Sequence, residues 1–231
     1  MKMIFLAITM CALVVYGEDT GEQLPVDEWN GSWGYYDPSE YNNGQYVHPD
    51  APSNPRCAAF DAEGNLWCAT ERGFMHTFQE GKWSKIRIME QISLTGIVLD
   101  SDSTFWISSA NGLYHFDPRS RQILFAYTTM SDFPSNDVRG VALDSDGTVW
   151  AATADGVVER SGTDWISYNK TTNPEFIPDL FHNVFFSRDG SCWLLSERGI
   201  YRREPDSTAW ENMKDLIGIG DSRVMFEAQD G

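Results

Sequence analysis

The stretch DSDGTVWAATADGV, residues 144–157, decides the fold of this 231-residue chain. Its first four residues fit a tight acidic turn closed by a glycine with positive φ, and residues 148–150 have the β-branched and aromatic character of a strand. Close variants are DAEGNLWCATERGF at 61–74, DSDSTFWISSANGL at 100–113 and SRDGSCWLLSERGI at 187–200. The chain is therefore built from internal repeats.

The repeats share a spacing as well as a composition. In each copy the second glycine follows the tryptophan by six residues, and successive tryptophans recur after 39, 44 and 43 residues. Copies that agree in this way are hard to obtain by chance. The repeated residues are Trp67, Trp106, Trp150 and Trp193, with Gly73, Gly112, Gly156 and Gly199.

Each repeat predicts four short strands, which in the third copy are residues 139–143, 148–153, 157–160 and 165–168. Four such strands every ~40 to 45 residues are typical of a propeller blade, which buries its faces only against neighbouring blades. We therefore predict an all-β fold, a β-propeller of four-stranded antiparallel blades with four full repeats plus the start of a fifth. The repeated tryptophan is expected to pack between blades.

The copy at 61–74 resembles the two-component regulator propeller repeat, an Asp-x-x-Gly-Asn-Leu-Trp turn and strand followed by a Thr-x-x-Gly-Leu turn. The resemblance extends over residues 50–231, although Ser103 replaces the first glycine of the second copy and Ser187 the leading Asp of the fourth. It implies a ligand-binding sensor domain outside the cytoplasm, which in this family often precedes a membrane helix and a histidine kinase. The repeat is also similar to that of the streptogramin lyases, whose metal-assisted site uses His and Glu on the channel face.

The ends of the chain predict an incomplete ring. Residues 32–39 are similar to the outer-strand segment at 164–171, so an outer closing strand near 32–36 precedes the first blade. The repeat turns lie at 61–64, 100–103, 144–147 and 187–190, and a fifth at 228–231 stops before its tryptophan. Because a sheet cut off there would expose an unpaired edge, we interpret the chain as an N-terminal fragment of a longer propeller. A four-bladed ring closed by residues 29–36 is the alternative.

Charge and hydropathy restrict the partners and the location. The 34 acidic and 17 basic side chains give a formal net charge of −17, which disfavours nucleic acid and anionic membrane surfaces. Residues 3–16 are apolar, too few to span a bilayer but suited to a signal peptide at 1–17; a buried first strand is the alternative. The segment 18–49 and the blades at 50–231 offer no membrane span. We predict an exported protein, periplasmic, at the cell surface or secreted.

Cys57 and Cys68 flank the first repeat turn, and the register of that turn decides whether they can pair. If paired residue numbers sum to 125, the two cysteines lie opposite each other. If the turn carries a glycine bulge, the sum is 126 and the thiols point to opposite faces. We favour the bulged turn and expect no disulfide.

The candidate ligand site is a ring on the first strand of each repeat, five residues before the Asp position. Innermost strands line the central channel of a propeller, so these side chains would face an anionic or carbohydrate ligand, with Arg supplying planar, charge-assisted donors. The alternative is that they pair with loop carboxylates such as Asp137, Asp179 and Asp221. The ring consists of Arg56, Thr95, Arg139, His182 and Arg223.

The other motifs predict no catalytic chemistry, no metal and no cofactor. The acidic turn at Asp144 has its glycine at the fourth position, whereas an EF-hand loop requires it at the sixth. His76 and His115 occupy equivalent places, but the other two copies have Glu159 and Arg202 there, which favours ordinary strand positions over metal ligands. We therefore predict a non-enzymatic binding module. A lyase-like enzyme, for which only His182 fits the channel face, and a secreted adhesion or interaction module are the alternatives.

Overall fold

A computed structural model of the chain describes residues 52, 54–80, 82–131, 133–176 and 180–213. The predicted signal peptide at 1–17, the segment at 18–49 with its closing strand near 32–36, Arg223 and the fifth turn at 228–231 lie outside these residues.

The described residues form sixteen strands in four separate four-stranded antiparallel sheets, and in each sheet the strands follow one another in chain order. A single 3-10 turn at Thr129–Ser131 is the only helical element among them. This is the predicted all-β architecture of four-stranded blades. Blade 1 contains β1 (Pro55–Phe60), β2 (Leu66–Thr70), β3 (Phe74–Gln79) and β4 (Lys82–Arg87); blade 2 contains β5 (Leu94–Leu99), β6 (Phe105–Ser109), β7 (Gly112–Asp117) and β8 (Gln122–Tyr127); blade 3 contains β9 (Val138–Leu143), β10 (Val149–Thr153), β11 (Gly156–Ser161) and β12 (Asp164–Tyr168); blade 4 contains β13 (Phe181–Phe186), β14 (Cys192–Ser196), β15 (Gly199–Arg203) and β16 (Glu211–Asn212).

The first hairpin of every blade closes with the same bulged turn. In blade 1 the Asp61 N–H donates to the Asn65 carbonyl and the Gly64 N–H to the Asp61 carbonyl, both at 3.0 Å. Gly64 has φ 84°, and Ser103 takes φ 68° at the same place in blade 2, so the serine preserves the turn. The register prediction is confirmed, because Ala58 pairs with Cys68 and their numbers sum to 126.

This register places the thiols of Cys57 and Cys68 on opposite faces of blade 1. Cys57 packs against the buried cluster that contains Trp67, whereas Cys68 packs beside Leu66. Both are free thiols, as is Cys192, and burial raises the pKa of Cys68 to about 12. The bulged turn thus separates the two thiols, as its register requires.

The first residue of each turn also holds the repeated tryptophan. The indole N–H of Trp67 donates to the Asp61 carboxylate at 2.9 Å, and that of Trp106 to Asp100 at 2.7 Å. In blade 4, where serine replaces the aspartate, the Ser187 hydroxyl accepts the same bond from Trp193 at 3.0 Å. This contact between turn and strand orients the indole in every blade.

The repeated Thr or Ser and the second glycine close the second hairpin. In blade 3 the Thr153 hydroxyl donates to the Gly156 carbonyl at 2.9 Å and accepts from the Asp155 N–H at 3.0 Å. Gly156 has φ 98°, and a Cβ there would lie 2.4 Å from the carbonyl oxygen of Tyr168 at the end of the outer strand. Only glycine lets the outer strand end so close to this turn.

The blades pack through their first strands, since β1 contacts β5, β5 contacts β9 and β9 contacts β13. These are the innermost strands, and the fourth strands lie outermost. Gly140 on β9 shows how closely they approach, because a Cβ there would lie 2.4 Å from Asn183 Oδ1 on β13.

Trp67, Trp106 and Trp150 fill the three joints between the described blades, as predicted. Each of these three is covered by the side chain four residues after the second glycine of the following blade. Phe116 packs edge-on against Trp67 at 6.0 Å between ring centroids, and the Arg160 guanidinium lies 5.0 Å from the Trp106 ring. The third joint is broader, since Arg203 lies 4.7 Å from Trp150, 5.6 Å from Tyr168 and 4.9 Å from Trp210.

Candidate functional site

The proposed ring residues on the described strands share one backbone feature, a β-bulge. In blade 3, Gly140 pairs with Ala152 and Val138 with Thr153, so Arg139 is an extra residue opposite neither partner. The registers of the other blades skip the equivalent residue of the first strand. A bulge redirects the side chain of its extra residue and frees its backbone from the regular ladder. The residues so placed are Arg56, Thr95, Arg139 and His182.

Arg139 is the most firmly positioned member of the ring. Its Nε and Nη2 donate to the same Asp137 carboxylate oxygen at 3.1 and 2.8 Å. Its remaining terminal nitrogen, Nη1, lies 3.2 Å from Nδ1 of His182 in the next blade. With 28% of its side chain exposed, Arg139 is held in one orientation while keeping a solvent-facing part.

The contact between Arg139 and His182 has a defined direction. A guanidinium has donors and no acceptor, so within this hydrogen bond Arg139 donates and Nδ1 of His182 accepts. Blade 4 thus contributes to the ring a polar group that contacts the ring residue of blade 3 directly.

Thr95 links blade 2 to blade 3. Its hydroxyl lies 2.7 Å from the Val138 carbonyl, to which it donates, and 2.9 Å from the Ser108 hydroxyl within its own sheet. The backbone neighbour of Arg139 is therefore tied to the ring residue of the preceding blade. Thr95 and Arg139 therefore each form a hydrogen bond to the next blade along the chain.

The two described arginines of the ring each pair with a carboxylate. Arg56 pairs with Glu71 at 3.3 Å, and both side chains are about half exposed. Arg139 pairs with Asp137, one of the loop carboxylates expected under the alternative interpretation; Arg223, Asp179 and Asp221 lie outside the described residues. The described part of the ring therefore presents a mixture of hydrogen-bond donors and acceptors.

The sequence did not predict the bulges or the ion pair between Glu71 and Arg56. A bulge of this kind needs no glycine, so its four positions carry Arg, Thr, Arg and His without a common residue type. Glu71 lies in the turn between β2 and β3, where an acidic residue is unremarkable in sequence. Asp137 could be predicted as a partner of Arg139, because it stands two residues before it in the sequence.

A second polar cluster joins the first turn of blade 2 to its third strand, β7. Asp100, Asp102 and His115 each bring one possible ligand atom within 4.8 Å of the others, the kind of set that can bind a metal ion. Each of these groups already has a partner within the protein. Asp100 accepts a hydrogen bond from the Trp106 indole. The Thr104 hydroxyl donates to Asp102 and lies 2.5 Å from Nε2 of His115.

Blade 4 shows what this cluster does in the repeat. There Arg202 replaces His115 and donates to Ser191 at 2.9 Å and to Asp189 at 3.3 Å, the counterparts of Thr104 and Asp102. The Arg202 guanidinium also lies 5.3 Å from the Trp193 ring. In blade 2 the His115 ring takes the same place, stacked on Trp106 with 4.4 Å between the ring centroids and 8° between the planes. A cationic donor in the same position indicates a structural brace on the tryptophan. His76, the other equivalent histidine, is buried in β3.

The brace shifts the pKa values of its members. Burial lowers the pKa of His115 from its ordinary 6.5, outweighing the nearby carboxylates of Asp102 and Asp100. Burial alone would raise the pKa of Asp102, but the hydrogen bonds from Thr104 outweigh it and the pKa is lowered. In blade 4, hydrogen bonds from Ser187 and Ser191 lower the pKa of Asp189 to about 2.

Comparison with known families agrees with the repeat. Residues 132–155 match the model described as "Two component regulator propeller", so the chain carries this repeat within a propeller fold. No curated protein matches the sequence.

The similar solved structures are larger proteins. The extracellular domain assigned to the hybrid two component system BT3049 of Bacteroides thetaiotaomicron matches with a TM-score of 0.63 and 22% identity, over 74% of this chain and 25% of that one. The extracellular domain of BT4673 from the same organism gives 0.61 and 19%, over 73% and 22%. Virginiamycin B lyase from Staphylococcus aureus gives 0.56 and 14%, over 79% and 59%. At these identities the likeness establishes the propeller fold, and this chain spans about a quarter of the length of the two extracellular domains.

The described part of the chain contains no helix with the length and apolar character of a membrane span.

Proposed function

We propose that this chain is an exported, non-enzymatic binding module whose ligand site is the ring of bulged residues on the innermost strands. The observation that carries the proposal is that the chain places a bulge at the same position of each first strand and uses it to present Arg56, Thr95, Arg139 and His182. Four aligned bulges are a costly feature for packing alone, because each interrupts a ladder of hydrogen bonds.

The charge balance of the ring supports a neutral, hydroxyl-rich ligand over an anion. Sugar hydroxyls both donate and accept hydrogen bonds, and the ring offers the Arg139 guanidinium together with the Asp137 and Glu71 carboxylates. A phosphate or carboxylate ligand would have to compete with Asp137 for the same guanidinium. We therefore propose a carbohydrate as the ligand class.

Export is proposed on the apolar run at residues 3–16 and on the extracellular origin of the two similar bacterial domains. Expression of the full chain in a bacterial host, followed by fractionation and mass spectrometry of the N-terminus, tests it. We expect extracytoplasmic protein beginning at Glu18; cytoplasmic protein that retains residues 1–17 would contradict export.

The ligand class is tested by a thermal-shift screen of the purified chain against neutral oligosaccharides and against inorganic phosphate, sulfate and citrate. We expect stabilisation by a neutral oligosaccharide that Arg139→Gln abolishes. The matched control is Arg121→Gln, which removes an exposed arginine from the outermost hairpin of blade 2 and should leave the shift unchanged. Stabilisation by the anions alone would contradict the carbohydrate assignment, and equal loss in both variants would contradict the location of the site.

A further inference from the structure

The outer strand of blade 2 differs from the other outer strands in being uncharged, apolar and exposed. Its sequence is Gln-Ile-Leu-Phe-Ala-Tyr, and five of its six residues are exposed. Phe125 is 62% exposed and Leu124 44%, and Met130, just beyond the end of the strand, is 96% exposed. Such large apolar side chains together on one edge mark an interaction surface.

The equivalent strands carry charges that protect their edges. β4 contains Lys82, Lys85 and Arg87, and β12 begins with Asp164. Charged side chains on an outer strand prevent another strand from pairing with it. Among the strands that the structure describes, β8 forms hydrogen bonds with β7 alone, so its other edge is not paired with any of them. Its protection is limited to a bulge at Leu124.

We propose that β8 is the surface through which two copies of this chain associate, with their β8 strands antiparallel across a two-fold axis. An uncharged apolar strand is complementary to itself, and a two-fold contact brings the same patch of both copies together. The same arrangement of β4 would bring its lysines and arginine face to face. This inference is independent of the ligand site on the innermost strands.

The charges around β8 favour the antiparallel arrangement. Arg119 and Arg121 lie in the turn before the strand and are both exposed, and Arg119 pairs with Glu63 at 3.4 Å. In an antiparallel pair the arginines of one copy lie at the far end of the joint strands from those of the other, whereas a parallel pair would place them side by side. The overall charge of −17 on each chain opposes association at long range, and salt screens that repulsion.

The size of the contact sets its strength. The bulge leaves a regular ladder only at Phe125–Tyr127 and Gln122–Ile123, so the contact is smaller than the ~800 Å² per partner of a stable complex. We expect a weak, reversible dimer with a Kd of about 100 μM. Because the contact is apolar and the net charges repel, raising the salt concentration should tighten the dimer.

Sedimentation of the purified chain over a range of micromolar to millimolar concentrations tests the proposal. Leu124→Lys should raise the dimer Kd by about 10-fold or more, because it places a charge on the pairing edge. The matched control is Ile166→Lys on β12, since Ile166 has the same 44% exposure on the equivalent strand of blade 3. Phe125→Lys provides a second variant, and circular dichroism establishes that each variant is folded.

A dimer that tightens with salt, weakens in Leu124→Lys and Phe125→Lys and persists in Ile166→Lys would support the proposal. Three results would overturn it: a monomer at all concentrations, a dimer indifferent to the β8 substitutions, or a dimer that dissociates as salt is added. The last would indicate association through ion pairs.

Discussion

Asp144 binds the indole of Trp150 through its side chain, with 3.2 Å between the carboxylate oxygen and Nε1. The other oxygen of the same carboxylate accepts the backbone N–H groups of Asp146 and Thr148 at 3.0 and 2.9 Å. One side chain therefore closes the turn and orients the tryptophan that fills the joint to the next blade, where Arg203 covers it.

Removing this carboxylate should be costly. We expect Asp144→Ala to lower the free energy of unfolding by about 2–3 kcal/mol, because three hydrogen bonds to a partly buried charged group are lost. Asp144→Ser should recover part of the loss, since Ser187 holds Trp193 in blade 4. Urea denaturation measures both, and Asp155→Ala, in the exposed second turn of the same blade, is the control. Equal effects of Asp144→Ala and Asp155→Ala would show that the contact contributes nothing.

The two glycines of the third repeat should differ in their tolerance of alanine. Gly147 has φ 80° with no atom near a new Cβ, so Gly147→Ala should cost about 1 kcal/mol through backbone conformation alone. Gly156→Ala adds a Cβ 2.4 Å from the Tyr168 carbonyl oxygen, and we expect a loss of about 3 kcal/mol. Urea denaturation of the two variants side by side tests the difference, and similar losses would argue against the close approach of the outer strand.

Ser103 occupies a left-handed conformation, φ 68°, that its three counterparts fill with glycine. Ser103→Gly should therefore raise the free energy of unfolding by about 0.5–1 kcal/mol, because the relief of strain exceeds the added entropy of the unfolded chain. Ser145→Gly, at a turn position without positive φ, should instead lower it. A loss of stability in Ser103→Gly would contradict the turn geometry.

The stability of the chain should fall as the pH drops through 6.5 because of His115. Above this pH the residue is neutral in both states; below it the unfolded chain binds the proton first, because the folded pKa is lowered. His115→Arg, which copies Arg202, should flatten this dependence while keeping a donor beside Asp102. The lowered pKa of Asp102 acts at more acidic pH, so the difference between the denaturation curves of wild type and His115→Arg between about pH 5 and 8 reports His115. An identical slope in wild type and His115→Arg would exclude His115 as its source.

The repeat predicted the blades, the bulged register of the first turn and the packing of the tryptophans between sheets. These features depend on local chemistry, such as a glycine at positive φ or an aromatic residue at a fixed strand position. The Asp144–Trp150 bond was not foreseen, although its six-residue spacing recurs in every copy. The spacing alone does not show that the indole on the second strand lies next to the aspartate of the turn.

The candidate site was predictable in position and not in electrostatics. Counting back from the turn located Arg139 and His182, and the structure brings them within 3.2 Å across two blades. The sequence named Asp137 as a possible partner but left open whether the arginines pair with carboxylates, and it gave no sign of Glu71, because a carboxylate's partner depends on rotamers and on the bulge. Among the described residues, Arg139 pairs with Asp137 and Arg56 with Glu71.

We propose that the bulged residues of the innermost strands bind a neutral, hydroxyl-rich ligand. The most direct test is calorimetric titration of the strongest oligosaccharide from the screen into the wild type, Arg139→Gln and Arg121→Gln. We predict that Arg139→Gln weakens binding by about 10-fold or more, through loss of charge-assisted hydrogen bonds, while Arg121→Gln matches the wild type. Unchanged affinity in a folded Arg139→Gln protein would contradict the claim.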